Sequence, residues 1–342
     1  MKILLFSDVH WSKTSSIIRD HGDNYTTRLE HLIDSMNWIN DLAQQENCDF
    51  MICAGDMMDK SSCNDMEITS IKDIKWNDKN CYFLCGNHES SVSDLRYSSL
   101  KLLESNNHFI IDKIFNLNFN DCQIHFIPYI VESERLSIDN YITNIDKSKK
   151  QIVISHNDIM GIKYGGFESK VGFTIDEIER YSDLYLNGHL HNSIWITNKI
   201  LNLGSLSAHN FTNNSLMYKY GAWILDTNNL KMTFYENPYA FKFYSLEIDN
   251  PKLLDLINTT ENNAVVSIKC STDLVNDVKE KLATKDNILT YKITTIANSL
   301  SATKIDKVED FTMNHLEKFV QCVKEKIGTN SIIDYELNEV IK

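Results

Sequence analysis

Short apolar runs in this 342-residue chain end, one after another, in residues able to hold a metal ion or move a proton. Met1 to Phe6 runs into Ser7-Asp8-Val9-His10, Phe50 to Ala54 into Gly55-Asp56, and Cys81 to Cys85 into Gly86-Asn87-His88-Glu89. Ile152-Val153-Ile154 leads into Ser155-His156, and Leu184-Tyr185-Leu186 into Asn187-Gly188-His189-Leu190-His191. Asp8, His10, Asp56, Asn87, His156, His189 and His191 thus offer two carboxylates, one amide oxygen and four imidazoles. Such a mixture suits divalent Mn, Fe or Zn better than Mg or Ca, which prefer oxygen shells. Seven ligands exceed what one ion needs, so the set points to two ions sharing a bridging carboxylate. A single His or Asp is more often a satisfied structural residue. Five blocks in order after five apolar runs are a far stronger signal. Asp-x-His would alternate across a strand, so both side chains reach one ion only where the strand is ending and twisting.

The elements that must position these groups read as strands alternating with helices. Residues 25–46 carry Tyr25, Leu29, Leu32, Ile33, Met36 and Ile39 at the spacing of one helical face. Strands follow at 49–54 and 81–85, a helix at 94–105, strands at 114–119 and 123–130, and mostly strands from 151 to 236. One helix, 174–181, opens on the capping box Thr174-x-x-Glu177. This alternation predicts an α/β domain with a largely parallel sheet, and in such sheets ligands bind at the carboxyl ends of strands. Asn237-Pro238 marks a boundary, giving residues 1–238 as one domain. Residues 239–297 then read as a small α+β module with no ligand-like cluster, its helices at 251–258 and 273–283. Residues 298–342 read as a polar linker followed by an amphipathic helix carrying Val308, Phe311, Leu316, Phe319, Val320, Val323 and Ile327. That apolar face either packs on its own chain or docks on a partner.

The composition is that of an ordinary globular chain, 42% hydrophobic. No apolar run is long enough to span a bilayer, and the opening residues turn acidic too soon for a signal peptide, so a cytoplasmic location is expected. Eight cysteines without a Cys-x-x-Cys pair agree with a reducing compartment. The net charge of −13 argues against free-standing, sequence-independent nucleic-acid binding, which rests on Lys and Arg neutralising phosphates. It leaves room for a nucleic-acid enzyme whose metals cancel charge at the site.

The five blocks, Asp8-Val9-His10, Gly55-Asp56, Gly86-Asn87-His88-Glu89, Ser155-His156 and Gly188-His189-Leu190-His191, resemble the signature blocks of the calcineurin-like metallophosphoesterases. That resemblance implies a sandwich of two mixed sheets flanked by helices, with Asp8, His10, Asp56 and His191 on one ion. Asp56, Asn87, His156 and His189 would hold the other, Asp56 bridging. It also implies His88 as the acid for the leaving oxygen or as a phosphoryl clamp; a supporting role, orienting a ligand, competes with both.

Gly55-Asp56-Met57-Met58-Asp59-Lys60 lacks the Arg-Gly that follows this block in Ser/Thr protein phosphatases. Ile124-His125-Phe126-Ile127-Pro128-Tyr129, followed by Ile130-Val131-Glu132, is instead similar to a segment of the SbcD nucleases, bacterial and phage relatives of the meiotic recombination eleven nuclease. So is Leu203-Gly204-Ser205 before Tyr220-Gly221-Ala222-Trp223. This looser resemblance implies a divergent member, phage-like and then working in a host cytoplasm. It implies a Mn(II)-dependent DNA nuclease acting on double-strand ends with 3′ to 5′ polarity, and as an endonuclease on single strands, in recombination and break repair. It further implies a homodimer, a capping domain after Pro238, and a terminal helix docking an SbcC-type coiled-coil ATPase. Lys13, Lys60, Arg96 and Lys163 are the candidate DNA contacts, a solvated surface being the competing reading of each. The alternative function is a stand-alone phosphodiesterase or phosphatase acting on small nucleotides.

Overall fold

The computed structural model describes residues 1–15, 25–90, 98–164, 167–211 and 216–296. The chain divides into two compact units, Met1–Thr295 and Ile296–Lys342. The helix expected near the end of the chain lies outside the described residues.

In chain order the strands of the first unit are β1 (Lys2–Phe6), β2 (Phe50–Cys53), β3 (Cys81–Leu84), β4 (His108–Ile111), β5 (Phe115–Asn118), β6 (Cys122–Ile127) and β7 (Lys150–Ser155). They continue with the short pair β8 (Lys163–Tyr164) and β9 (Phe167–Glu168), then β10 (Leu184–Asn187), β11 (Ile194–Trp195), β12 (Ile200–Asn202), β13 (Gly221–Asp226) and β14 (Lys231–Glu236). The last three are β15 (Lys242–Ile248), β16 (Ala264–Ser271) and β17 (Ile288–Ile296). The α-helices are α1 (Thr27–Gln45), α2 (Asp65–Ile71), α3 (Ile175–Tyr181) and α4 (Val275–Ala283).

Two six-stranded mixed sheets result, in the orders β14-β13-β1-β2-β3-β4 and β11-β12-β10-β7-β6-β5. Strands β1 to β4 run parallel, as do β6, β7, β10 and β12, while β13, β14, β5 and β11 pair antiparallel. The two-residue period of each strand sorts its side chains between layers. Ile3 and Leu5 of β1, Ile152 and Ile154 of β7, and Leu184 and Leu186 of β10 enter one core between the sheets. Leu4 and Phe6 point the other way, into the core shared with Leu29, Leu32, Met36 and Ile39 of α1. Val153 and Tyr185 likewise face Ile178 of α3. Strands β1, β7 and β10 are therefore apolar on both faces and read as continuous apolar runs. The architecture is the α/β sandwich of two mixed sheets flanked by helices.

Helix α1 starts at Thr26, whose hydroxyl accepts from Leu29 N–H at 3.4 Å. Strands β15, β16 and β17 form a separate three-stranded sheet, packed on α4 around Val266, Ile268, Val278 and Leu282. Three readings of the sequence need correction. Residues 99–103, expected within a longer α-helix, form a 3-10 turn (Ser99–Leu103). Pro251–Thr259 is also 3-10 helix, entered from Asn250, whose side chain accepts from Lys252 N–H, with Pro251 in its first turn. Strand β4 was not anticipated at all. The seven described cysteines are unpaired, and all but Cys63 are buried.

Candidate metal centre

The carboxyl ends of β1, β2, β3, β7 and β10 bring the seven sequence candidates into one place. The backbone turns abruptly there: Asp8, His10 and Asp56 have φ near +50° and His189 has φ of +78°. Left-handed conformations at residues with a Cβ cost about 1–2 kcal/mol each, so tertiary contacts must hold them. Asp8 N–H donates to Gly55 O (3.1 Å), His10 N–H to Asp56 O (3.0 Å) and Trp11 N–H to Met57 O (2.8 Å). The fully buried Trp11 anchors this run, its indole N–H reaching Glu67 O at 3.1 Å. These turns are what bring both Asp8 and His10 onto one side. Two glycines permit the close approach: a Cβ on Gly55 would lie 2.1 Å from His156 Nδ1, and one on Gly86 would lie 2.1 Å from Asp56 Oδ1.

Three overlapping groups have ligand atoms within 4.8 Å of one another: Asp8 with His10 and His191, His10 with Asp56 and His88, and Asp8 with Asp56 and His156. His10 Nε2 and His191 Nε2 are 3.0 Å apart, and both face Asp8 Oδ1, at 4.0 and 3.9 Å. Asp8 Oδ2 accepts from Ser7 Oγ (2.5 Å) and His189 N–H (3.1 Å), whereas Oδ1 is buried with no hydrogen-bond partner. On the other side of Asp56, His156 Nε2 lies 3.1 Å from Asp56 Oδ2 and 3.3 Å from Asn87 Oδ1. His189 Nδ1 is 3.1 Å from the same amide oxygen. Asp56 therefore stands between two clusters of donors. An orphaned buried carboxylate oxygen and converging imidazoles fit a pair of divalent cations, because unpaired buried charge is strongly unfavourable unless a counter-charge sits beside it.

The imidazoles are oriented from behind, as ligating histidines usually are. His156 Nδ1–H donates to Ala54 O (2.8 Å), leaving Nε2 for Asp56. Burial pushes the His156 pKa down, but the Asp56 carboxylate outweighs it and the net result is about 10. Asp56 itself is held well below the usual carboxylate range: burial opposes this, and His156 and His10 prevail. His10 Nδ1 meets Asp59 Oδ1 at 3.2 Å, and His189 Nε2 meets Asp158 Oδ1 at 3.4 Å. Glu89, fully buried, accepts from Gly86 N–H (2.7 Å) and Met58 N–H (2.8 Å), so it clamps the Asp56 loop to the Asn87 loop. Burial, then repulsion from Asp56, pushes Glu89 up to about 8.

His88 sits at the rim with 42% of its side chain exposed. Its Nδ1–H donates to Asp59 O (2.8 Å) and its backbone N–H to Asp56 Oδ1 (3.0 Å), which leaves Nε2 for a substrate. A cavity of about 320 Å³ opens beside His10, His88 and His191.

Three of the four candidate DNA contacts fall among the described residues, each beside a glutamate. Lys60 Nζ is 3.5 Å from Glu67, Lys163 Nζ is 3.4 Å from Glu168 on the β8–β9 pair, and Lys13 N–H bonds Glu67 at 3.0 Å. Arg96 lies outside the described residues. The sequence reading missed Asp59, Asp158, Arg28 and His209. Asp59 and Asp158 follow Asp56 and His156 by three and two residues, a proximity that could have flagged them. Arg28 is fully buried on α1, where no periodicity marks it, and His209 lies in the loop beyond β12; burial and the Arg28 cation push His209 down to about 4.

Among solved structures, a dimetal phosphatase from Danio rerio is similar at 10% identity and a TM-score of 0.39, covering 70% of this chain and 96% of its own. The NAD nucleotidase of Haemophilus influenzae is similar at 11% identity and a TM-score of 0.32, covering 83% of this chain and 59% of its own. No curated protein matches significantly. Residues 1–193, which contain the whole cluster, match the profile described as calcineurin-like phosphoesterase. The chain belongs to the calcineurin-like phosphoesterase family.

Proposed function

We propose that the chain is a metal-dependent phosphodiester hydrolase acting on DNA. The observation that carries this reading is the arrangement around Asp56: carboxylate and imidazole donors on one side of it, amide and imidazole donors on the other, with His88 beside them at the mouth of a cavity. Asp8, His10, Asp56 and His191 would hold one cation and Asp56, Asn87, His156 and His189 the second; the N/O set suits Mn, Fe or Zn, and the resemblance to SbcD nucleases favours Mn(II) among them. Bound there, divalent cations acidify water and neutralise charge on a phosphoryl group. His88, fixed through Nδ1 and its backbone N–H, offers Nε2 to the leaving oxygen. Asp59 and Asp158 hold two of the imidazoles in orientation, and Gly55 and Gly86 keep the floor of the site open to them.

The narrower reading rests on the sequence segments similar to SbcD nucleases. It makes residues 1–238 a nuclease domain, 239–297 a capping domain, and 298–342 a linker with a docking helix for an SbcC-type ATPase, in a homodimer working in break repair. Among the described residues no helix is long and apolar enough to cross a membrane. A second reading, hydrolysis of small nucleotides, is favoured by the charge of −13 and by the modest volume of the cavity.

One assay separates them: Mn(II)-loaded chain on blunt duplex DNA and on p-nitrophenyl phosphodiesters and monoesters, with and without a candidate ATPase and ATP. Degradation of duplex ends stimulated by partner and ATP, and lost on deleting residues 298–342 while small-diester cleavage survives, is the expected result. Robust small-ester hydrolysis with DNA untouched in every condition would transfer the site to small nucleotides.

A further inference from the structure

The cavity beside the donor cluster is walled by His10, His88 and His191 and, from outside that cluster, by His209, Tyr218 and Tyr220. Of these outer residues His209 carries the feature with chemical consequence. Its ring centroid is 5.8 Å from that of His10, so both imidazoles border one space. Its Nδ1 is buried without a hydrogen-bond partner. The nitrogen left to face the cavity is Nε2.

Arg28 explains why the ring is held there and which nitrogen carries the proton. This fully buried guanidinium donates from Nη1 to Ala208 O (2.5 Å) and from Nη2 to Val9 O (2.9 Å) and His10 O (3.3 Å). One side chain therefore ties the segment carrying His209 to the segment carrying His10. The His209 carbonyl is pinned as well, accepting from Ser15 Oγ. The Asp59 carboxylate bears on both Arg28 and His209, and at His209 the Arg28 cation outweighs it. A cation at the back of His209 favours a lone pair on the inner nitrogen, Nδ1, and hence an N–H on Nε2. The result is a fixed, preorganised donor aimed into the cavity.

We propose that His209 is a catalytic residue of this site, donating a hydrogen bond from Nε2 to a non-bridging oxygen of the phosphoryl group, while His88 serves the leaving oxygen. The inference rests on the phosphoesterase reading above. A donor already in place where negative charge collects strengthens as that charge develops, and removal of such a donor costs roughly 10²-fold or more in turnover. Glutamine, whose amide nitrogen can stand near the position of Nε2, restores a donor; alanine and phenylalanine cannot.

The test uses the full chain loaded with Mn(II), and His209→Ala, His209→Phe and His209→Gln. Three quantities are measured: bound metal, affinity for inorganic phosphate by calorimetry, and kcat and KM on bis-p-nitrophenyl phosphate. Expected are unchanged metal content in all variants, phosphate binding weakened about tenfold and kcat lowered roughly 10²-fold in the alanine and phenylalanine variants, and partial recovery of both in the glutamine variant. A variant that misfolds is bypassed by the native chain loaded with diamagnetic Zn(II), in which the ring ¹⁵N resonances of His209 shift on adding inorganic phosphate. Wild-type phosphate affinity and turnover in His209→Phe, loss of metal from the variants, or unmoved ¹⁵N resonances would overturn the role of His209 and leave the phosphoesterase reading standing. A native chain that neither binds phosphate nor hydrolyses any ester removes both.

Discussion

His156 and His108 are both buried imidazoles, and they stand at opposite ends of parallel strands. His156 follows the carboxyl end of β7, where Asp56 and Asn87 converge on its Nε2. His108 opens β4, edge-on to Trp76 at 4.4 Å and to Phe83 at 5.6 Å, with Nδ1 donating to Leu103 O. Burial pushes both pKa values down. At His108 it wins, since a backbone carbonyl is the only opposing influence. At His156 the Asp56 carboxylate overturns it. A facing carboxylate is thus what separates the two: the His156 imidazole is held charged against Asp56, and the His108 imidazole, with no such partner, is not. Substitutions at the first end should remove chemistry and spare the fold, and at the second should do the reverse.

The largest effect is expected at the centre of the charged end. Asp56→Asn keeps the shape and the acceptor for His88 N–H but removes the bridging charge. Metal content by elemental analysis should fall to background, and diester hydrolysis by more than about 10³-fold. The metal-free protein should lose some stability as well, because the buried His156 imidazole loses the carboxylate facing it, while circular dichroism still shows the native fold; an unfolded variant would mean that the two ends are not separable. His88→Ala comes next: both metals retained and kcat lowered about 10²–10⁴-fold. Loss of metal from this variant would make His88 a support for its neighbours.

That division also explains what the sequence could reveal. The seven donors were legible from Asp8 to His191 because each follows an apolar run buried on both faces, as Leu4 and Leu5, or Val153 and Ile154, show by entering different cores. The left-handed turns at Asp8, His10 and Asp56 were legible only as a geometric requirement, since Asp and His are enriched in that region but still adopt it too seldom for residue type to place a turn. Arg28 and His209 act through contacts between distant segments, which a one-dimensional pattern does not carry, whereas Asp59 and Asp158 lie close enough in sequence to Asp56 and His156 to have been flagged. Strand β4 escaped because its four residues open with His108, a polar residue made apolar in effect by Trp76 and Phe83.

The packing-only part of the molecule should answer in the opposite way. Ile268→Ala in β16 opens a cavity among Val266, Val278 and Leu282, and should destabilise by about 2–5 kcal/mol in denaturant titrations. Turnover per folded molecule on a small diester should stay unchanged; a drop would show that the three-stranded sheet helps to shape the site. A smaller and purely chemical effect is expected for Asp158→Asn, which weakens the hold on His189. Mn(II) affinity should fall about 10–100-fold with no change in melting midpoint of the metal-free chain.

The smallest effect probes the charge-excluding end directly. With His108 held below the ordinary imidazole pKa, the unfolded chain takes up a proton at pH near 6.5 while the folded chain does not. Above that pH both states are neutral there and His108 contributes no pH dependence. As pH falls from about 6.5 toward the lower folded value, stability is lost with a slope of at most about 1.4 kcal/mol per unit, and the loss levels off below it. Denaturant midpoints of metal-free wild type and His108→Gln at pH 7.5 and 5.5 isolate this contribution, because every other titrating group is common to both. The wild type should lose more stability than the variant over that interval. Equal losses would mean that a proton enters the Trp76–Phe83 cage freely, and that burial at this end of the sheet does not exclude charge.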